Sequence, residues 1–212
     1  MSEFTFGFLV KNEGQNDELV RKIVNTTYVK ELNEDWLVFI EGNWDVPQSV
    51  LELSREIPVL KFENAEDHGW GFSIFNNGEE ITTIEISYEL EDKMIMLEVE
   101  RRHPEIEDMT EFIYFDPKGR EIYAQIQKEL PNNELFAETV RKQFNLLNTQ
   151  SFELFQVGQD KINELNQILT SEYYINLKNK YEVVNRFKEI LNLEEMSWIR
   201  PDRLERFEEE DE

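Results

Sequence analysis

The 212-residue chain carries 46 acidic and 22 basic residues, a formal net charge of −24, and 40% of its residues are hydrophobic. That hydrophobic share is enough to form a core, which excludes disorder for most of the chain. With no cysteine, disulfides, thiolate zinc sites and a cysteine nucleophile are excluded. Because so negative a field repels nucleic-acid phosphates and anionic lipid, we expect neither nucleic acid nor membrane as a partner.

The acidic residues are concentrated in the first part of the chain. Residues 1–130 carry a net charge of −17, residues 131–193 a net charge of −1, and residues 194–212 a net charge of −6. Within residues 56–92, ten acids stand against one base, Lys61. The N-terminus lacks the basic and apolar regions of a secretory signal, and no apolar run reaches the roughly 18 residues of a membrane span. We therefore expect a soluble, cytoplasmic protein.

Strand patterns dominate the first ninety residues. Aromatic and β-branched residues predict strands over 3–10, 35–42, 59–64, 70–75 and 79–89. Helices are predicted from Asn16 to about Leu32, and between Pro47 and Pro58.

The clearest hairpin joins the last two predicted strands. Asn77 and Gly78 are the preferred pair for a two-residue turn in which both positions need positive φ. In the second strand, alternation places one set of side chains toward the core, namely Ile84, Ile86 and Tyr88. The other set faces water or a partner, namely Thr83, Glu85, Ser87 and Glu89.

The remaining elements are mostly helical. Residues 91–105 predict a helix that ends at Pro104, and residues 110–115 predict a short strand. Asp116 and Pro117 predict the start of another helix. Apolar stripes over 133–193 predict about three helices. Trp198 and Ile199 are expected to dock on the body, and the final five residues, all acidic, to be mobile.

These elements predict an α+β fold. A mostly antiparallel sheet forms from the N-terminal half, with helices packed on one face and a helical C-terminal portion. We divide the chain into an α+β acidic lobe (1–130), a helical lobe (131–200) within one compact body, and an acidic tail (201–212).

His68 is the first candidate for chemistry. It follows Glu66 and Asp67, and a carboxylate–imidazole pair could orient a general base, or bind a metal together with His103. Two histidines with scattered carboxylates are unspecific, however, and the common catalytic and phosphate-binding signatures are absent from the sequence. The simpler interpretation is a turn histidine without a chemical role. We predict no metal and no cofactor.

The second candidate is an acidic surface on the hairpin. Glu85 and Glu89 would share one strand face, with Glu79 and Glu80 at the turn, and this surface is either only solvated or binds a partner. Trp70, between two glycines, either packs the hairpin on the core or leaves its indole free to meet that partner.

The functional prediction is a non-enzymatic interaction module that binds a basic protein through Glu79, Glu80, Glu85, Glu89 and Trp70. An acidic α+β chain with a tight Asn-Gly hairpin is similar in charge character to inhibitor and immunity proteins, and no sequence motif assigns a family. The alternative is an enzyme whose site includes Glu66, Asp67 and His68.

Overall fold

A six-stranded sheet organises the N-terminal half of the chain. The structure is a computed structural model that describes residues 4–26, 28–42 and 45–201. Its strands follow the order β2-β3-β1-β4-β5-β6, and every pairing is antiparallel. The strands are β1 (Phe4–Lys11), β2 (Val29–Glu31), β3 (Trp36–Phe39), β4 (Val59–Ala65), β5 (Gly69–Asn76) and β6 (Glu79–Ser87).

Helices make up most of the rest of the described chain. They are α1 (Asn16–Val24), α2 (Gln48–Leu53), α3 (Glu89–Arg102), α4 (Met109–Phe115), α5 (Pro117–Glu129), α6 (Glu134–Gln143), α7 (Gln159–Ile168), α8 (Ser171–Asn176) and α9 (Tyr181–Leu191). Short 3-10 segments span Leu130–Asn132, Thr149–Phe155 and Glu194–Met196. Within the described part of the chain, no helix has both the length and the apolar character needed to cross a bilayer.

The larger core lies between one face of the sheet and the layer formed by α3 to α9. Its centre is Phe187 of α9, which is fully buried and stacks on Phe72 with ring centroids 4.8 Å apart. Phe62, Trp70 and Phe152 surround the same ring at 5.3–5.9 Å. Side chains from both predicted lobes therefore meet in one hydrophobic cluster.

The opposite face of the sheet is covered by two short helices. Val20 and Val24 of α1 and Val50 and Leu53 of α2 pack against a second cluster of side chains on β1, β3, β4 and β5. On β6 the same face carries Thr83 and Glu85 instead of large apolar residues. This end of the face is where the polar surface described below begins.

The α+β class, the antiparallel sheet in the N-terminal half and the helical C-terminal portion are confirmed. The Asn77-Gly78 turn is also confirmed, since their φ angles are 54° and 82°. Ile84 and Ile86 are buried as predicted. Tyr88 is half-buried, but it lies beyond the end of β6, where α3 begins.

Three sequence predictions about elements were wrong. Residues 110–115 belong to helix α4, not to a strand. The first helix ends at Val24, because Asn25 takes a left-handed conformation (φ 56°) and the chain then enters β2. The expected three helices of residues 133–193 are four helices and a 3-10 segment, with Phe155 separated from α7 by a turn.

The C-terminal helix and the segment after it are fastened to the sheet by polar contacts. Trp36 Nε1 donates to the Leu191 carbonyl oxygen (2.7 Å), and Asn192 Nδ2 donates to Asp35 Oδ2 (2.7 Å). Lys11 lies 2.8 Å from the same carboxylate, and these partners hold the pKa of Asp35 below its ordinary value. Ile199 is buried, which confirms its predicted docking. The predicted mobile acidic tail lies outside the described residues, apart from Pro201.

Candidate functional site

A shallow depression of about 300 Å³ lies at the end of the sheet where β4 turns into β5. The cross-strand row Ala65–Gly69–Ser87 contributes only small side chains to it. In the next row, Glu63 and Glu85 flank Gly71, so their Cα atoms are two strand spacings apart, about 10 Å. Carboxylates thus stand on both sides of a low central strip.

Glycine is required at the centre of this strip because the neighbouring backbone is too close for a side chain. A β-carbon on Gly69 would lie 2.0 Å from the carbonyl oxygen of Ile86, and one on Gly71 would lie 2.6 Å from that of Ile84. Both positions face β6, so the two glycines allow β5 and β6 to pair closely while leaving the surface open.

His68 lies at the rim of the depression, but its partner is not one of the two predicted acids. The turn is closed by the His68 amide, which donates to the Ala65 carbonyl oxygen (2.8 Å). The imidazole Nδ1 lies 2.9 Å from Oε1 of Glu89, at the start of α3. Glu66 and Asp67 are exposed in the turn and do not line the depression. The structure therefore pairs His68 with a carboxylate 21 residues away in sequence.

Glu89 is held in its charged form by two neighbours. Lys93 Nζ lies 2.8 Å from its Oε2, one helical turn away, and His68 approaches the other oxygen. These hydrogen bonds, with Lys93 first, lower the pKa of Glu89 from 4.5 to about 2. Its position in the first turn of α3 also favours a negative charge.

The lowered pKa of Glu89 predicts a pH-dependent contribution to stability. Between about pH 2 and 4.5 the unfolded chain binds more protons than the folded protein, so the stabilisation is complete above pH 4.5 and lost as the pH falls through 2. We expect Glu89→Gln to lower the free energy of unfolding at pH 7, with a difference that shrinks toward pH 2 and in high salt. Denaturant titrations at several pH values measure this difference.

Glu100→Gln is the matched control for this prediction. Glu100 lies on the same helix and is exposed, and it forms no ion pair with a described residue. Its substitution removes one negative charge from the same helix without breaking an ion pair, so we expect a smaller loss of stability at pH 7 than for Glu89→Gln. An equal loss of stability for Glu89→Gln at pH 2 and pH 7 would mean that Glu89 acts through packing and not through charge.

The predicted acidic surface is present in part. Glu79, Glu80 and Glu85 are exposed, and none of them forms an ion pair with a described residue. Glu89 was predicted to lie on the strand, but in the structure it is the first residue of α3. We use the name acidic face for these four glutamates, Glu79, Glu80, Glu85 and Glu89.

Trp70 is a core residue and not part of the acidic face. Only 2% of it is exposed, and its ring packs against Phe187 from the helical side of the sheet. Its Nε1 and the Oδ1 of the cross-strand neighbour Asn64 are buried without a hydrogen-bond partner among the described residues. The free-indole interpretation fails because the side chain points to the opposite face from Glu85.

Comparison with family models, curated proteins and solved structures gives no match. The site must therefore be interpreted from its own geometry. Among the described residues, no group of three or more acidic, histidine or cysteine side chains is placed to hold a metal ion. What the depression offers is a set of carboxylates at an open surface, which suits contact with positively charged side chains.

The sequence did not point to Glu63 as a residue of this site. Glu63 lines the depression and pairs with Lys61 at 2.9 Å, on the same strand face two residues away. Its alternation with Phe62 and Asn64 was the available signal, because it places the carboxylate on the sheet face opposite the larger core.

Proposed function

We propose that this chain is a non-enzymatic interaction module whose acidic face binds a basic protein, in the manner of an inhibitor or immunity-type protein. The partner would place lysine or arginine side chains against Glu79, Glu80 and Glu85, and one of them could enter the depression beside Glu85. Electrostatic attraction of this kind mainly accelerates association and selects the partner.

One observation carries this proposal: Glu79, Glu80 and Glu85 are exposed together on one hairpin and form no ion pair with a described residue. Elsewhere in the described chain several acids are paired locally, as in Glu98 with Arg101 and Arg102, or the exposed Glu189 with Arg186. Solubility alone is served by interspersed charges of both signs. The unpaired cluster therefore favours a binding role.

The test compares two variants with the same loss of charge. The face variant is Glu79→Gln, Glu80→Gln, Glu85→Gln and Glu89→Gln. The control variant is Glu31→Gln, Glu34→Gln, Glu138→Gln and Glu195→Gln, at exposed positions outside the acidic face. We expect basic proteins captured from a lysate of the native cell by the parent and by the control to be lost with the face variant. If both variants capture the same proteins as the parent, the acidic face does not carry the binding. If both variants lose these proteins, net charge and not the acidic face explains the binding.

The His68–Glu89 pair supports an enzymatic alternative. Ser87 lines the same depression, so a Ser–His–Glu order is conceivable for acyl transfer. Ser87 makes no hydrogen bond to His68 among the described contacts, and 63% of the His68 side chain is exposed to water. A fluorophosphonate probe should leave the protein unlabelled. Labelling that disappears in Ser87→Ala would favour the enzyme.

A further inference from the structure

A second open feature, an apolar groove of about 550 Å³, runs between α3 and the segment that leads into α4. On α3 the residues at helical spacing along its outer side, Lys93, Met96, Leu97 and Glu100, form one wall. Pro104, Ile106, Glu107 and Met109 form the other wall. We call this feature the methionine groove.

Two residues of the methionine groove, Met96 and Met109, are half-buried and pack against the larger core, whereas Leu97 does not belong to that cluster. The opposite side of α3 already buries Met94, Ile95 and Val99 against the sheet and helices. Leu97 nevertheless remains 58% exposed in the groove. A leucine in this setting costs hydration free energy unless something covers it.

The charges around the groove indicate what could cover it. Glu100 and Glu107 line it, and Glu111 follows on α4; none of the three forms an ion pair with a described residue. The neighbouring cations are already engaged, because Arg101 and Arg102 both contact Glu98, and Lys93 contacts Glu89. The rim therefore favours a positively charged occupant.

We propose that the methionine groove binds the apolar side of a basic amphipathic helix from the partner protein. Methionine side chains are flexible and polarisable, so they adapt to the apolar anchors of such a helix. The carboxylates of the rim meet the lysines or arginines that flank those anchors. A second copy of this chain is disfavoured, because it would bring the same acidic rim against itself.

The methionine groove is contiguous with the acidic face, and the inference rests on the proposed function for the existence of a basic partner. Lys93 lines the groove and contacts Glu89, which lines the depression beside Glu85. One partner could therefore engage both surfaces, with charge contacts on the hairpin and an apolar helix on α3.

The probe is a synthetic helical peptide with leucines on one side and lysines on the other. Its first control is a peptide of the same composition in scrambled order, which has no apolar side. We expect the parent protein to bind the amphipathic peptide more tightly than the scrambled one. Leu97→Asp should weaken binding about tenfold or more, as for an anchor residue of an interface.

Leu97→Asp distinguishes binding through apolar contact from binding through charge attraction, because it removes an apolar side chain and adds a negative charge to an already acidic surface. Simple attraction would leave binding of the basic peptide unchanged or make it tighter. Leu135→Asp is the matched control, since Leu135 is 60% exposed, lies on α6 and does not line the groove. This control should bind the peptide like the parent. Circular dichroism checks that both variants keep their helix content.

Three results would overturn the inference. The first is equal binding of the scrambled peptide, and the second is unchanged or tighter binding by Leu97→Asp. In both cases the acidic face proposal stands, because its four glutamates are not altered. The third is a self-associated parent protein that Leu97→Asp converts to a monomer, which would assign the groove to a second copy of this chain.

Discussion

Replacing Phe187 with alanine should lower the free energy of unfolding by about 3–5 kcal/mol. The Phe187 ring is fully buried, stacks on Phe62 and Phe72, and contacts Trp70 and Phe152 at an angle, with all four ring centroids within 6 Å. Its removal would leave a cavity between α9 and the sheet that rigid aromatic neighbours cannot fill. Urea denaturation followed by tryptophan fluorescence and by circular dichroism measures the loss.

The control for this prediction is Phe115→Ala, which removes an aromatic ring that is 74% exposed. It should change stability by no more than about 0.5 kcal/mol. In the parent protein, tryptophan fluorescence and circular dichroism should report the same unfolding transition, because the ring cluster joins the sheet to the C-terminal helices. A small effect of Phe187→Ala, or separate transitions for the sheet and the helices in the parent protein, would contradict this packing.

Replacing Gly69 with alanine should cost about 3 kcal/mol or more. The added methyl group would lie 2.0 Å from the backbone carbonyl oxygen of Ile86, and the residue has a φ of 156°. Backbone atoms in a paired strand cannot move away as a flexible side chain can. The substitution must therefore open the β5–β6 ladder at the depression, and thermal unfolding should show a large fall in Tm.

Gly158→Ala provides the comparison for Gly69→Ala. No atom lies within 4 Å of a β-carbon at Gly158, and its φ of −65° suits any residue. We expect a change of less than about 1 kcal/mol, which reflects only the lost preference for glycine at a helix N-terminus. Similar unfolding temperatures for both variants would mean that β5 and β6 are not closely paired at Gly69.

Sequence patterns predicted the elements whose signals are local. The hairpin turn was predictable because Asn77 and Gly78 tolerate positive φ, which most residues resist. Helix α5 was predictable because Asp116 caps it, accepting hydrogen bonds from the amides of Lys118 and Gly119, and Pro117 occupies its first turn.

Helix α4 was missed because its residues favour strands when considered alone. A short run of phenylalanine, isoleucine and tyrosine does not distinguish a strand from a buried helix. In the structure Asp108 caps this helix through the Glu111 amide at 2.8 Å, and Ile113 is buried against the core. Gly119 lets α5 approach the Phe112 carbonyl oxygen closely. These tertiary contacts outweigh the local preference.

The candidate site was predictable only where it follows strand alternation. Exposure of Glu85 followed from the burial of Ile84 and Ile86 on either side of it. The pairing of His68 with Glu89 could not be predicted from alternation, because the β5–β6 hairpin brings together residues that are 21 positions apart. The methionine groove also could not be predicted from the sequence, because it depends on how the segment before α4 folds against α3.

The acidic face is tested most directly by the association rate of a captured basic partner as a function of ionic strength. We predict that the association rate falls about tenfold or more as the salt concentration rises, while the dissociation rate changes less. This result is expected for the parent protein and for the control variant with glutamine at positions 31, 34, 138 and 195. For the variant with Glu79, Glu80, Glu85 and Glu89 changed to glutamine, we predict a slower rate at low salt and a flatter salt dependence. An association rate equal to that of the parent at low salt would contradict the proposed function.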